Sequence, residues 1–257
     1  MYHVAAMQAA KLLTLVAVFF VTSIISVVTG STSLITVPVM IQCGIEPHIA
    51  VATNMFALIF LSAGGLTPLW KGGSLPRRQL PVTTVVTIVG SVAGALLLTS
   101  VPVRSVQLII AVAVIAVAVF SLLRPDLGLV TSKSAPSNAH VMLGYALTLA
   151  LAVYGGFFSG GYVTLLTAVF AVFFHMTFVE SIAATKLMNV FSSVAATAIF
   201  AWRGIVDFKL GLLLGTVMFA GGMLGGTITL KLNVAWLRRI FIAAVLALAT
   251  RMLIAVV

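Results

Sequence analysis

Acidic side chains are almost missing from this chain, with four Asp and Glu among 257 residues. So few carboxylates leave no polar constellation of the kind a hydrolase uses. Paired histidines at metal spacing, a Gly-rich loop ending in Gly-Lys-Ser/Thr and a Gly-x-Ser-x-Gly turn are also missing, so neither an enzyme nor a built-in ATP motor is expected, and no cofactor or metal. A single cysteine, Cys43, excludes an intramolecular disulfide and any cysteine-ligated cluster. Charge of either sign is scarce, at 7% of residues, and no long polar surface could be built from it.

What the chain does have is apolar length. Hydrophobic residues make up 62% of it and the mean hydropathy is +1.27, far outside the soluble globular range. The composition is that of an all-α polytopic membrane protein, and the cell membrane is its expected home. The 14 Lys and Arg give a net charge of +10. They lie mostly at the ends of apolar segments, as anchors and topology signals, so the basic balance reads as contact with the lipid bilayer and not with nucleic acid.

A spanning helix needs roughly 20 mostly apolar residues. About eight segments meet that length: 8–29, 48–70, 80–99, 103–123, 140–158, 179–202, 208–229 and 235–257. The stretches 33–43 and 162–175 are too short to span and fall in the re-entrant range. An internal repeat organises these segments. An offset of 132 places Ala52-Thr53 over Ala184-Thr185, and Trp70-Lys71-Gly72 over Trp202-Arg203-Gly204. An offset of 131 places Gly90 and Gly94 over Gly221 and Gly225, glycine pairs whose spacing suits close helix contact in lipid. The expected division is a first transmembrane repeat at 1–123, a polar linker at 124–139 and a second repeat at 140–257. Because the first apolar run opens the repeated unit, it reads as a span and not as a cleaved signal.

Each half contains one interruption. Gly30-Ser31-Thr32-Ser33 and Ser159-Gly160-Gly161 each separate a long apolar segment from a short one, as the tip of a helix-turn-helix hairpin would. Backbone leaves the helix at membrane depth only where protein or a wet cavity receives it. Interruptions at matching positions of two halves are the strongest sequence pointer to a transporter's binding site. The short helix after each turn offers free N–H groups and a positive dipole end to an anion. Ser31, Thr32, Ser33 and Ser159 add hydroxyls, and Gly30, Gly160 and Gly161 let backbone approach closely. The plainer alternative for each turn is a glycine kink with hydroxyls bonded back to their own helix. Pro38 lies inside the first short helix, whereas its counterpart is Thr167, so a proline there is not common to both halves.

The helices that follow carry the remaining polar candidates. Lys186, with Asn189 one turn on, lies inside an apolar segment, and its counterpart in the first half is the neutral Asn54. An intramembrane lysine is a functional candidate by default, here as the charge that neutralises an anion, with Asn54 and Asn189 orienting it. The competing reading is a lysine that snorkels or pairs with Glu180. Glu46, His48, Glu180 and His175 lie near segment ends and are candidates for proton coupling or gating, against the plainer reading of an interfacial role for each. Asp207 is expected to pair with Arg203 or Lys209.

If each hairpin enters and leaves by one face, the two halves are inverted. Lys71, Arg77, Arg78, Arg124, Lys133, Lys231, Arg238 and Arg239 then share a side opposite Lys11, Arg104, Arg203, Lys209 and Arg251. Parallel halves would divide the same charges nine against four, which charge counting does not exclude. Inversion is preferred because it brings two tips from opposite faces to one midplane site.

These residues resemble the sulfite exporter TauE/SafE family, also called the toluene sulfonate uptake permease family. The similarity rests on Gly30 to Pro38 followed by Ala50-Val51-Ala52-Thr53-Asn54, and on Ser159-Gly160-Gly161 followed by Ala183-Ala184-Thr185-Lys186 and Asn189. The corner Trp202 to Asp207 is also similar to the family's pattern. The family's first turn is usually richer in glycine, so the hydroxyls of Ser31, Thr32 and Ser33 shift the expected contact there from backbone towards side chain. The resemblance implies secondary transport of small sulfur-containing anions such as sulfite, thiosulfate, sulfoacetate or other organosulfonates. The direction of transport and self-association into a homodimer are left open by it. A reading from a different class is a non-transporting membrane subunit that scaffolds a larger complex, with the duplicated turns as packing devices.

Overall fold

The computed structural model of the chain describes residues 2–30, 32–71, 75, 79–123 and 136–229. Ser31, most of the 124–139 linker and the expected 235–257 segment lie outside the described residues. Within them the fold is all helical: α1 (Tyr2–Thr29), α2 (Ser33–Gln42), α3 (Pro47–Lys71), α4 (Leu80–Ser100), α5 (Val103–Leu123), α6 (Asn138–Phe157), α7 (Tyr162–Phe173), α8 (Phe178–Trp202) and α9 (Phe208–Thr229). Six of these, α1, α3, α4, α6, α8 and α9, contain stretches long and apolar enough to cross a membrane. The short helices α2 and α7 match the two stretches left over by the sequence reading.

α3 and α8 form the centre, and their candidate spans are the most buried of the six, at 72% and 67%. The other helices pack around them by exchange. α9 lies on α3 and α1, and α4 lies on α8 and α6. Small residues permit both outer contacts. A Cβ on Gly94 would fall on the Val153 carbonyl of α6, and one on Gly225 would fall on the Ile24 carbonyl of α1. In lipid, where burial of apolar surface gives helices no preference for each other, such backbone approach is a main source of association.

The contacts also fix which helix ends lie together. Lys11 of α1 donates to the Cys43 carbonyl just past α2, at 3.0 Å, so the α1–α2 hairpin begins and ends at one level. His48 reaches the Val101 carbonyl, which brings the end of α4 to the start of α3. Asp207, at the α8–α9 corner, donates its N–H to Thr53, near that same end of α3. At the opposite end of α3, Leu69 packs with Ile182 and Ala183 from the start of α8. The α6–α7 hairpin also has both feet together, because His140 and His175 lie with ring centroids 6.2 Å apart. Leu80, at the start of α4, packs in the cluster that holds Val141 and Phe174 from those feet.

Candidate functional site

The first hairpin tip is built from hydroxyls. α1 stops at Gly30, whose φ of +79° is a left-handed conformation that glycine adopts without a Cβ penalty. Thr32 caps α2 with its carbonyl, which accepts from the N–H groups of Ile35 and Thr36. Its own hydroxyl donates to Ser26 in the last turns of α1. Asn54 of α3 then bridges two hydroxyls on α2: it accepts from Thr36 at 2.7 Å and donates to Ser33 at 2.9 Å. Thr32, Ser33, Thr36 and Asn54 are all buried, so these bonds offset a desolvation cost that the separate groups could not bear. Pro38 lies buried inside α2.

Aromatic packing shapes the second tip instead. Gly161, at φ +81°, precedes α7 with no side-chain cap, and Phe158 and Tyr162 are fully buried around it. The Tyr154 hydroxyl donates to the Gly160 carbonyl. Ser159 is buried within the turn. The two tips touch each other reciprocally. A Cβ on Gly30 would stand 2.8 Å from the Thr164 backbone nitrogen in the first turn of α7. One on Gly160 would stand 2.8 Å from a Leu34 methyl in the first turn of α2. The N-terminal turns of both short helices therefore meet, and the positive ends of two helix dipoles come together inside the protein.

Lys186 reaches the same place from α8. It is 1% exposed, and its ammonium donates to the Ser26 carbonyl at 3.3 Å, across the boundary between the two halves. It does not pair with Glu180, whose carboxylate accepts instead from the Thr177 N–H and hydroxyl in a capping box that starts α8. Among the described residues the one ion pair is Glu46 with His48, so no carboxylate there compensates the lysine. Asn189 is buried and donates to the Ser62 hydroxyl of α3 at 2.6 Å. Among the described residues no three His, Cys, Asp or Glu side chains gather to hold a metal ion.

The remaining candidates lie at helix starts, away from the tips. Glu46 accepts from the Ile49 N–H at 3.0 Å, and from His48 at 2.9 Å. Burial raises the carboxyl pKa, but the His48 ring and the N–H groups of Ile49 and His48 outweigh it and hold the group below its usual 4.5. Glu46 precedes Asn54 by eight residues and Glu180 precedes Lys186 by six, about 12 and 9 Å of helix rise. Asp207 departs from expectation: it pairs with neither Arg203 nor Lys209 but accepts from the Leu210 N–H to start α9. Arg203 lies over the Trp202 ring, 5.1 Å from its centroid.

Three participants were absent from the sequence reading. Ser26 supplies the carbonyl for Lys186 and the hydroxyl for Thr32, Thr36 completes the Asn54 bridge, and Ser62 receives Asn189. A signal existed for Thr36, which follows Ser33 by three residues on one helix face. For Ser26 and Ser62, single hydroxyls in apolar runs, only the reach of Lys186 and Asn189 from α8 to α1 and α3 reveals a partner.

Comparison with known proteins gives a consistent result. The profile described as sulfite exporter TauE/SafE matches residues 15–252. A probable membrane transporter protein, ORF9, of a Sinorhizobium species is 29% identical, over 91% of this chain and 89% of that one. A probable membrane transporter protein of Haemophilus influenzae is 26% identical, over 83% and 81%. The probable membrane transporter protein YfcA of Escherichia coli K12 is 24% identical, over 79% and 75%. No solved structure matches the chain.

Proposed function

The chain belongs to the sulfite exporter TauE/SafE family of multi-pass membrane proteins, and on that premise we propose that it is a secondary transporter of small sulfur-containing anions, held where the two hairpin tips meet. The observation that carries this reading is Lys186, a fully buried ammonium whose described partner is a neutral carbonyl. An unpaired charge away from water is costly, and an anion bound beside it removes that cost. The first turns of α2 and α7 add N–H groups and dipole potential. Thr32, Ser33 and Asn54 offer polar atoms on one side, Ser159, Gly160, Gly161 and Asn189 complete the set, and Ser31 is proposed for it from its place in the sequence between Gly30 and Thr32. Sulfite, thiosulfate, sulfoacetate and other organosulfonates present the tetrahedral or pyramidal oxygens that such a ring of donors suits.

In this reading residues 1–123 and 140–257 are inverted repeats joined by the 124–139 linker. The reciprocal packing of α9 on α1 and α3, and of α4 on α6 and α8, supports it. So does the opposite placement of the hairpin feet, with Lys11 and Cys43 at one end of α3 and His140 and His175 towards the other. Rocking one repeat against the other would then open the tips alternately to each face. Glu46 with His48 at one end, and Glu180 at the other, are the proposed proton-coupling or gating groups.

A proteoliposome panel of sulfite, thiosulfate, sulfoacetate, taurine and sulfate, with and without a pH gradient, tests the proposal. Saturable flux of at least one sulfur anion that disappears in Lys186→Gln is the expected result; absence of flux and binding for every anion would overturn it. Cysteine labelling at Ser132 and Arg203 from outside intact cells tests inversion, which requires the two positions on opposite sides.

A further inference from the structure

A cavity of about 330 Å³ lies between α3 and α8, apart from the hairpin tips. Ala63 and Leu66 of α3 and Leu187 and Val190 of α8 form its walls, and Trp70 and Lys71 stand at its mouth. Thr67 also lines the cavity, but its hydroxyl donates back to the Ala63 carbonyl at 2.8 Å, so the walls present mostly hydrocarbon and leave an oxyanion no free donor. The mouth has the signature of a membrane interface: Trp70 is 59% exposed, and Lys71 is exposed at the last residue of a span. From Lys71 inward to Ala63 is eight residues, about 12 Å of helix rise. That depth is most of one leaflet's hydrocarbon, about 15 Å. Lys71 has no acidic partner among the described residues.

We propose that this groove is a binding site for an anionic phospholipid, with one acyl chain lying between α3 and α8 and the headgroup phosphate paired with Lys71. Length, lining and charge each match that occupant. A chain seated there closes the gap beside the Asn189–Ser62 hydrogen bond, which crosses from α8 to α3 one residue away from Val190 and Ala63. It would thereby keep lipid-side water from the buried polar groups and brace the two helices that carry Asn54 and Lys186. The inference is independent of which anion, if any, the tips carry.

The chain's three tryptophans make the test direct. In a Trp202→Phe, Trp236→Phe variant Trp70 is the sole indole, and its fluorescence is read in phosphatidylcholine vesicles doped with mid-chain-brominated phosphatidylglycerol or mid-chain-brominated phosphatidylcholine. Brominated phosphatidylglycerol should quench with an apparent affinity about fivefold higher, the weight of one basic residue at an anionic headgroup. Lys71→Gln should bring the two lipids to parity, and Val190→Phe, which fills the groove without touching Lys71, should reduce quenching by both. Equal quenching before Lys71 is changed, a preference that survives Lys71→Gln, or no quenching at all would overturn the proposal; the last outcome would mean that protein, such as a second copy, covers the groove.

Discussion

The two hairpins do the same topological job with different chemistry. The first tip is held by side-chain hydrogen bonds, Thr32 to Ser26 and Asn54 to Thr36 and Ser33. The second relies on Phe158 and Tyr162 packed around glycines, with one hydroxyl bond from Tyr154 to Gly160. The charge is unequal as well. Where α3 carries Asn54, α8 carries Lys186, and that lysine serves the first tip and not its own. The two tips therefore divide the labour: the hydroxyl-rich tip meets the Lys186 side chain, and the glycine-rich tip supplies close backbone approach. The difference teaches that the proposed site would have to draw on both hairpin regions, since the lysine follows the second turn while the hydroxyl network surrounds the first.

The strongest way to break this asymmetry is Lys186→Gln. Removing the buried cation should cost at least about 30-fold in anion affinity, the equivalent of about 2 kcal/mol or more. Isothermal titration on protein that remains folded by gel filtration reads it, and retained affinity would mean that the tips alone bind. Next is the contrast between the tip glycines. Gly30→Ala forces a left-handed alanine against the Thr164 backbone, whereas Gly160→Ala meets the Phe158 ring and a Leu34 methyl, which can yield. Gly30→Ala should destabilise by about 2 to 4 kcal/mol and clearly more than Gly160→Ala. Thermal unfolding in lipid measures both, and the reverse order would contradict the packing described.

A smaller effect separates the polar network from the aromatic one. Asn54→Ala leaves Ser33 without its donor and Thr36 with only the Thr32 carbonyl at 3.2 Å, and should cost about 1 to 3 kcal/mol, while Tyr154→Phe removes a single bond and should cost about 1 kcal/mol. Equal losses would deny that the two tips are held differently. The smallest effect lies outside the tips. The carboxyl of Glu46 is held below 4.5 in the fold, so folding favours its ionised form. Its contribution is fully present above the unfolded pKa and is lost as pH falls through the lower folded value. The side chain is 38% exposed, so solvent screening keeps this contribution below about 1 kcal/mol. Glu46→Gln should lower stability at pH 7 by less than about 1 kcal/mol and flatten the fall below pH 4.5, so that variant and parent converge in acid, as read by thermal unfolding across that range.

Much of this was legible in the sequence because membranes impose simple rules. Seven of the expected long segments correspond to helices, and both short stretches emerged as α2 and α7. Gly30 and Gly161 are at positive φ where the hairpins turn. Lys186 stood out because an ionisable residue deep in an apolar run is costly and therefore rare. Its partner was not legible: Glu180 is the acid nearest along α8, but helix capping claims it, and the actual acceptor lies 160 residues away in sequence. The fate of Asp207 has the same origin. An exposed N–H at a helix start competes with nearby Lys and Arg for a carboxylate, and here the helix start takes it.

By itself the sequence determined the apolar spans, the two breaks and the residues able to carry charge or donate hydrogen bonds, since hydropathy and backbone chemistry act locally along the chain. Tertiary structure decided which of those residues meet. It brought the tips into mutual contact, sent Lys186 to the Ser26 carbonyl and joined Asn189 to Ser62. Those pairings depend on how close helices approach across the two halves, and in lipid that is set by glycine contacts and buried hydrogen bonds between distant segments, which no local pattern encodes.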